Sequence, residues 1–284
     1  MKKRAILKTL HYADIFDFPL RIEEIHQYLV EPSTLPVLEK TLSLMVANDD
    51  LIRADGFYCL PGREEIIKLR KRRWICSQPK LKKARRIASF LKFIPWIKLI
   101  GVTGALAMEN SDQNDDIDLM IITSPQRLWL TRGVIVTFLR LTGQYRRPGK
   151  IKDMICPNLM IAEDALEFPD RDLFTAHEIV QMKPIFVRDN MHRRFLKANL
   201  WIKEFLPNAI ESAKCKVQSA KPKFKVQNFL LDFLERFAYK LQLKYMERKK
   251  TVEVTTPSVI RFHPQDARQR ILDEYQKRVY IATK

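Results

Sequence analysis

Residues 97–123 read IKLIGVTGALAMENSDQNDDIDLMIIT. Two apolar runs, each long enough for a strand, are separated by a small-residue turn at Gly104 and Ala105 and by a polar loop. The second run is entered through Asp116 and Asp118, with Ile117 between them. Side chains alternate across a strand, so the two acids share one face, while Ile117 and Leu119 point to the other, into a core. Adjacent carboxylates repel, and a cation relieves the repulsion. Hard oxygen ligands suit Mg²⁺, which keeps open positions for phosphate oxygens. Two such ions clamp the attacking and leaving oxygens of a phosphoryl or nucleotidyl transfer. A residue without a side chain at Gly104 lets backbone N–H groups approach a triphosphate. The plainer alternative is a polar loop capping a strand, because a bare Asp-x-Asp has little specificity. What favours the metal site is the ordered combination: strand, Gly-small turn, the ten residues from Leu106 to Asp115, Asp-apolar-Asp, and a second apolar run.

The remainder of the chain narrows the setting. Its 284 residues suggest two or three domains of roughly 100–150 residues each. A net charge of +18 points to a polyanionic partner or phosphate-rich substrate, or equally to a lysine-rich solvated surface. Cys59, Cys76, Cys156 and Cys215 are scattered without a Cys-x-x-Cys pair. That argues against structural zinc and a disulfide framework, and it fits a reducing cytoplasm. The basic N-terminus lacks a continuous apolar run, so no signal peptide is expected. The most apolar internal segment, GVIVTFLRLTG, is short and carries Arg140, so no membrane span or membrane partner is expected. Neither a Walker A loop nor Gly-x-Ser-x-Gly occurs, which argues against a P-loop ATPase and a serine hydrolase.

Residues 1–62 read as three helices, with Leu35, Leu38, Leu42 and Met45 at helical spacing on the third. LIRADGFYCLPG follows as a hairpin turning at Asp55-Gly56. Three helices and a hairpin resemble a winged helix-turn-helix domain. A DNA reader carries basic and polar side chains on its third helix. Here Lys40 faces Glu39 with little else, which favours a scaffold or protein-contact role over base reading. Residues 63–94 form a basic helical connector expected to break into two helices at Pro79. Its charges are either a solvated face or a phosphate track. Trp74 within it is expected to pack on a neighbouring domain rather than stack on a base.

Residues 95–190 form a central domain: strands at WIKLIGVTG, IDLMIIT and MICPNLMIA, a helix over PQRLWLTRGVIVTFLRLTG, and another over DRDLFTAHEIVQMKPIF. His177 on that last helix is expected to be a packing residue. Residues 191–284 read as a helical C-terminal region, with NFLLDFLERFAYKLQLKYMERKK strongly amphipathic. The expected fold class is α+β.

Residues 100–122 resemble the signature of the DNA polymerase β-like nucleotidyltransferase superfamily, in which an apolar residue, Gly, and Gly or Ser precede Asp-apolar-Asp by about ten residues. The flanking segments CPNLMIAEDALEF and DLFTAHEIVQMKPIF are similar to those of bacterial nucleotidyltransferase-domain proteins. The resemblance implies a small mixed sheet flanked by helices, with Mg²⁺ held by Asp116 and Asp118. It also implies a nucleoside triphosphate on the turn of Thr103, Gly104 and Ala105, and transfer of a nucleotidyl group to a hydroxyl. Two positions depart from the pattern. Ala105 replaces a Ser or Gly, removing a hydroxyl but keeping a backbone donor. The family's third carboxylate, a metal ligand and general base, has no counterpart in MICPNLMIA, where Asn158 is a neutral amide; Asp153, just before that strand, is the nearest replacement. Arg146, Arg147, Lys150 and Lys152 form a basic loop whose guanidinium groups suit phosphate, or are simply solvated.

The expected function is Mg²⁺-dependent nucleotidyl transfer to an RNA end, a protein side chain or a small molecule. The alternative is a weak or inactive nucleotidyltransferase fold that regulates by binding nucleic acid or a protein. Oligomeric state is not legible.

Overall fold

The computed structural model describes residues 3–212, 229–247, 254–262 and 266–281. The N-terminal unit comprises α1 (Lys3–Asp14), α2 (Ile22–Tyr28), α3 (Leu35–Ala47) and a hairpin of β1 (Ile52–Ala54) and β2 (Phe57–Cys59). Asp55 and Gly56 both take positive φ at the hairpin turn, as a tight two-residue connection requires. The long helix α4 (Glu65–Leu91) follows. Then come β3 (Ile97–Val102), the single turn α5 (Gly104–Ala107), β4 (Ile117–Thr123), α6 (Leu128–Leu141), β5 (Ile155–Ala162), α7 (Leu173–Gln181), β6 (Lys183–Val187), α8 (Met191–Ala198) and α9 (Ala209–Ser212). Beyond these lie α10 (Phe229–Glu247), β7 (Val254–Thr255), β8 (Val259–Arg261) and α11 (Asp266–Ile281).

Six strands form one open mixed sheet in the order β6-β3-β4-β5-β8-β7. The β4–β5 pair is parallel and sets Asp118 opposite Cys156; the other pairs are antiparallel. The fold is therefore mixed α+β with helices on both sides of the sheet. No helix among the described residues is long and apolar enough to cross a membrane.

Strand alternation divides the core. Ile100, Val102, Leu119, Ile121 and Met160 pack against α4, α6 and α10 on one face. Leu99, Met120, Ile122 and Ile161 turn to the other face, where α7, α8 and the N-terminal helices share a second cluster with them. The N-terminal unit thus contributes to the core of the central sheet. Each fully buried aliphatic side chain contributes roughly 1.5–3 kcal/mol.

Three features differ from the sequence reading. First, α4 does not break at Pro79. A proline removes one helical hydrogen bond and crowds the preceding turn. The carbonyl that loses its donor is that of Ile75, an exposed residue, while Leu81, Ala84, Ile87 and Leu91 hold the helix on the sheet. Trp74 stands 51% exposed, and its side chain hydrogen-bonds Glu109 of the central domain. Second, α7 ends at Gln181, and KPIFV continues as edge strand β6 rather than helix. The residue before a proline is driven to extended backbone, which stops the helix ahead of Pro184. Met182 then lies over Gly101, where a Cβ would overlap its side chain. Third, the C-terminal region is not purely helical, because β8 pairs with β5 and β7 extends the sheet. Short strands of two and three residues leave too little periodicity to be seen in sequence.

The amphipathic segment read over 228–250 is α10 where described, and Glu235 fastens it to α6. Its buried carboxylate accepts the Trp129 and Leu130 backbone N–H groups, each at 2.8 Å. These are unpaired donors at the start of α6, where a negative charge is stabilising.

Candidate functional site: a carboxylate pair at the mouth of a cavity

The polar loop before β4 is built by α4. Lys80 is only 2% exposed at its side chain, and its ammonium reaches the carbonyls of Gln113 (3.3 Å) and Asp115 (2.5 Å) and the carboxylate of Asp153 (2.8 Å). Ser77 Oγ accepts the Ser111 N–H (3.1 Å), and Asp115 accepts the Asp112 N–H (2.6 Å). A buried ammonium stays charged only when its donors are met, and here three oxygens meet them. Part of the basic connector is therefore a brace for the loop that delivers Asp116.

Asp116 and Asp118 converge. Their carboxylate oxygens and Cys156 Sγ lie within 4.8 Å of one another. The Cys156 thiol hydrogen-bonds to Asp118. Burial, then the charges of Asp116 and Glu178, push Asp118 up to about 7. Burial and the same two aspartates push the Cys156 thiol far up, so it stays protonated. Arg146 Nε lies 2.7 Å from Asp116 Oδ2, a charge contact without a hydrogen bond's alignment. Two half-buried carboxylates drawn together, one holding its proton up to neutral pH, is the electrostatic signature of a site short of positive charge.

Gly104 has φ +62°, and a Cβ placed there would stand 3.3 Å from Asp118 Oδ2. A side chain is thus disfavoured on two counts, strain and proximity. The Thr103 N–H is already donated to the Asp118 carbonyl (3.1 Å), which locks the turn to β4 but removes that donor from any ligand. Donors from Gly104 and Ala105 begin α5 and have no intrahelical acceptor.

The remaining sequence-predicted residues separate. Asp153 is outside the cluster: its carboxylate is held by Lys80, and its carbonyl accepts from Lys83 Nζ (2.6 Å). Asn158 lies two residues beyond Cys156 on the same face of β5, and its Oδ1 is buried without a partner. Arg147 is exposed in a turn closed by its backbone with Lys150. Lys150 caps the Gly143 carbonyl (3.1 Å), and Lys152 is exposed. His177 is stacked on Tyr12 at 4.0 Å and bonded to Gln181 (3.0 Å); burial lowers it to about 3, so it is a neutral packing residue.

Cys156 occupies the position where the sequence reading sought a third carboxylate. The strand was visible in sequence, but the β4–β5 register was not, and choosing between Cys156 and Asn158 depends on that register. Glu178 was also missed. It faces the same cavity, has its carboxyl pushed up by burial, and has no polar motif around it in sequence.

Gly104, Asp118, Asn158 and Glu178 stand on the wall of a cavity of about 390 Å³ between the sheet, α7, α11 and the N-terminal unit. Cavities of roughly this size hold small molecules. As for the donor set, two carboxylates suit a hard divalent ion such as Mg²⁺, whereas a protonated thiol does not ligate one. Asp116 and Asp118 fit the ion; Cys156 adjoins it as a neighbour.

No family model, no curated protein and no solved structure matches the chain.

Proposed function

We propose that the chain is a Mg²⁺-dependent nucleotidyltransferase of the DNA polymerase β-like kind, moving a nucleoside monophosphate from a triphosphate to a hydroxyl. The observation that carries this reading is the convergence of Asp116 and Asp118 beside a left-handed glycine that leaves open space against Asp118. Asp116 and Asp118 hold the ion. When bound, it neutralises charge on the phosphates and polarises them toward attack. Gly104 and Ala105 offer backbone donors where a side chain would block approach. Arg146 neutralises Asp116 and, once an ion takes that role, is free to pair with a phosphate oxygen. Asp153 is assigned a bracing role through Lys80 rather than a catalytic one.

The test is calorimetric titration with each of the four ribonucleoside triphosphates, with and without Mg²⁺, beside Asp116→Ala/Asp118→Ala. Magnesium-dependent binding that the double variant loses is the expected result. Equal binding by both proteins, or none by the wild type, contradicts the reading.

A second reading is favoured by one specific feature, the thiol of Cys156 in place of a third carboxylate. On this reading turnover is weak, and the protein acts as a nucleotide-responsive binder of nucleic acid or protein. The exposed Lys71, Arg72, Lys82, Arg85 and Arg86 along α4 would then face a polyanion. The exposed side of α3 carries Leu35, Val37, Glu39, Lys40 and Leu44 and is poorly suited to reading bases, whether or not the N-terminal unit is a winged helix. Salt-dependent RNA binding that persists in Asp116→Ala/Asp118→Ala, without nucleotide turnover, distinguishes this reading.

A further inference from the structure

The cavity beside Asp118 has a composition that selects its occupant. Its walls are largely apolar and rich in aromatic rings, with Tyr12, Phe16 and Phe18 from the N-terminal unit and Phe168 and Phe174 from the central part of the chain. Its two guanidinium groups are already engaged: Arg261 with Asp170 (2.8 Å), and Arg268 with Asp172 (2.5 Å). The buried polar atoms left without partners in the described wall, on Asn158 and Thr103, can both accept a hydrogen bond. Asn158 Oδ1 is buried and unbonded, and the Glu178 carboxyl faces the cavity with Arg261 as its opposing charge. Thr103, 7% exposed, has an unpartnered hydroxyl in the same wall. Unmet acceptors in an apolar enclosure call for a ligand that brings donors, because leaving each of them unpaired costs about 1–3 kcal/mol.

The position of the N-terminal unit points the same way. It closes one side of the cavity, and its aromatic side chains stack there rather than on an exposed groove: Tyr12 on His177 at 4.0 Å, and Tyr28 tilted to the same ring at 5.0 Å. A nucleic-acid end brings phosphates, for which the cavity has no uncommitted cation among the described residues. A compact apolar molecule brings none.

We propose that this cavity is the acceptor pocket, and that it takes a compact aromatic molecule bearing a hydroxyl or amine donor rather than a nucleic-acid end. The proposal rests on the nucleotidyltransferase reading for the word acceptor, and on the cavity alone for the class of ligand. In the transfer, the ligand hydroxyl oxygen forms a bond to the α-phosphorus of the nucleoside triphosphate as the bond from that phosphorus to the bridging oxygen breaks. Pyrophosphate leaves with the electron pair, and the hydroxyl proton passes to a carboxylate facing the cavity. The N-terminal unit then acts as a wall of the substrate pocket.

The test uses three probes that share one ring and differ in the head group: phenethyl alcohol, phenethylamine and hydrocinnamate. Binding to the full chain is measured by ligand-observed NMR and calorimetry, without nucleotide or metal. The alcohol and amine are expected to bind, with the carboxylate about tenfold weaker, the loss of roughly one unmet acceptor. Ala267→Phe, which fills the cavity, should weaken both by about tenfold or more, and the near-isosteric Glu178→Gln should weaken the amine more than the alcohol. Should Ala267→Phe fail to fold, Glu178→Gln decides alone. No binding of any probe, hydrocinnamate binding as well as the amine, or unchanged binding in both variants overturns the pocket's ligand class. Probe binding together with failed magnesium-dependent triphosphate binding sinks the acceptor role and leaves the ligand class standing. Intact triphosphate binding with no probe binding sinks the pocket proposal and leaves the nucleotidyltransferase reading standing.

Discussion

The two faces of the central sheet are made by the same strands and differ in almost every physical respect. Toward α4, α6 and α10 the strands present Ile100, Val102, Leu119, Ile121 and Met160, all buried, in a packed apolar layer. Toward α7, α11 and the N-terminal unit they present Met120 and Ile122 in a core cluster, but Asp118 and Asn158 open on the cavity, with Cys156 beside Asp118. One residue of offset along β4, from Ile117 to Asp118, separates core from site. The comparison shows how a chain places an electrostatically unfavourable cluster on a rigid support: the dry face is packed apolar where the cavity face holds its carboxylates.

The largest expected effect on stability lies on the dry face. Ile121→Ala removes a fully buried side chain and should destabilise by about 2–5 kcal/mol, read by denaturant unfolding. A loss under about 1 kcal/mol would mean that this face is not close-packed. Lys80→Met tests the brace beneath the loop. It strands Asp153 and two carbonyls, and it should cost about 2–4 kcal/mol while weakening metal binding through the displaced loop. Unchanged metal binding would separate the loop from the site.

On the cavity face the sign should reverse. Asp118 holds its proton up to about pH 7 when folded, against an ordinary value near 3.8. The folded protein then binds more protons than the unfolded chain between those values, so stability falls as pH rises from about 4 to about 7 and is level above. Asp118→Asn should remove that slope and stabilise the metal-free protein at pH 8 by roughly 2–4 kcal/mol, followed by thermal unfolding across pH. Added Mg²⁺ should stabilise the wild type and not the variant. A destabilised variant would mean that the carboxylate is already well compensated. The smallest effect is expected at Gly104→Ala, about 1–2 kcal/mol from the left-handed backbone and the close Asp118 oxygen.

What was legible in the sequence was local. The apolar runs of β3 and β4, the Gly104 turn and the pairing of Asp116 with Asp118 follow from alternation and composition within one short stretch. What was not legible depends on partners distant in sequence. Cys156 meets Asp118 only through the β4–β5 register. Asp153, adjacent in sequence to the right strand, is taken by Lys80 from a helix more than two turns long on either side of it. Pro79 announced a break that the packing of α4 on the sheet overrode. The cavity needs α1, β4, α7 and α11 together, so no single window could contain it.

The central claim is that the carboxylate pair holds a divalent ion. Manganese serves as a spectroscopic substitute for magnesium, since both take oxygen ligands. The direct measurement is an electron paramagnetic resonance titration of Mn²⁺ into the wild type and into Asp116→Ala/Asp118→Ala at pH 8, with Mg²⁺ as competitor. The account predicts tight, Mg²⁺-displaceable Mn²⁺ in the wild type and its loss in the double variant. The same bound Mn²⁺ in both proteins would contradict it.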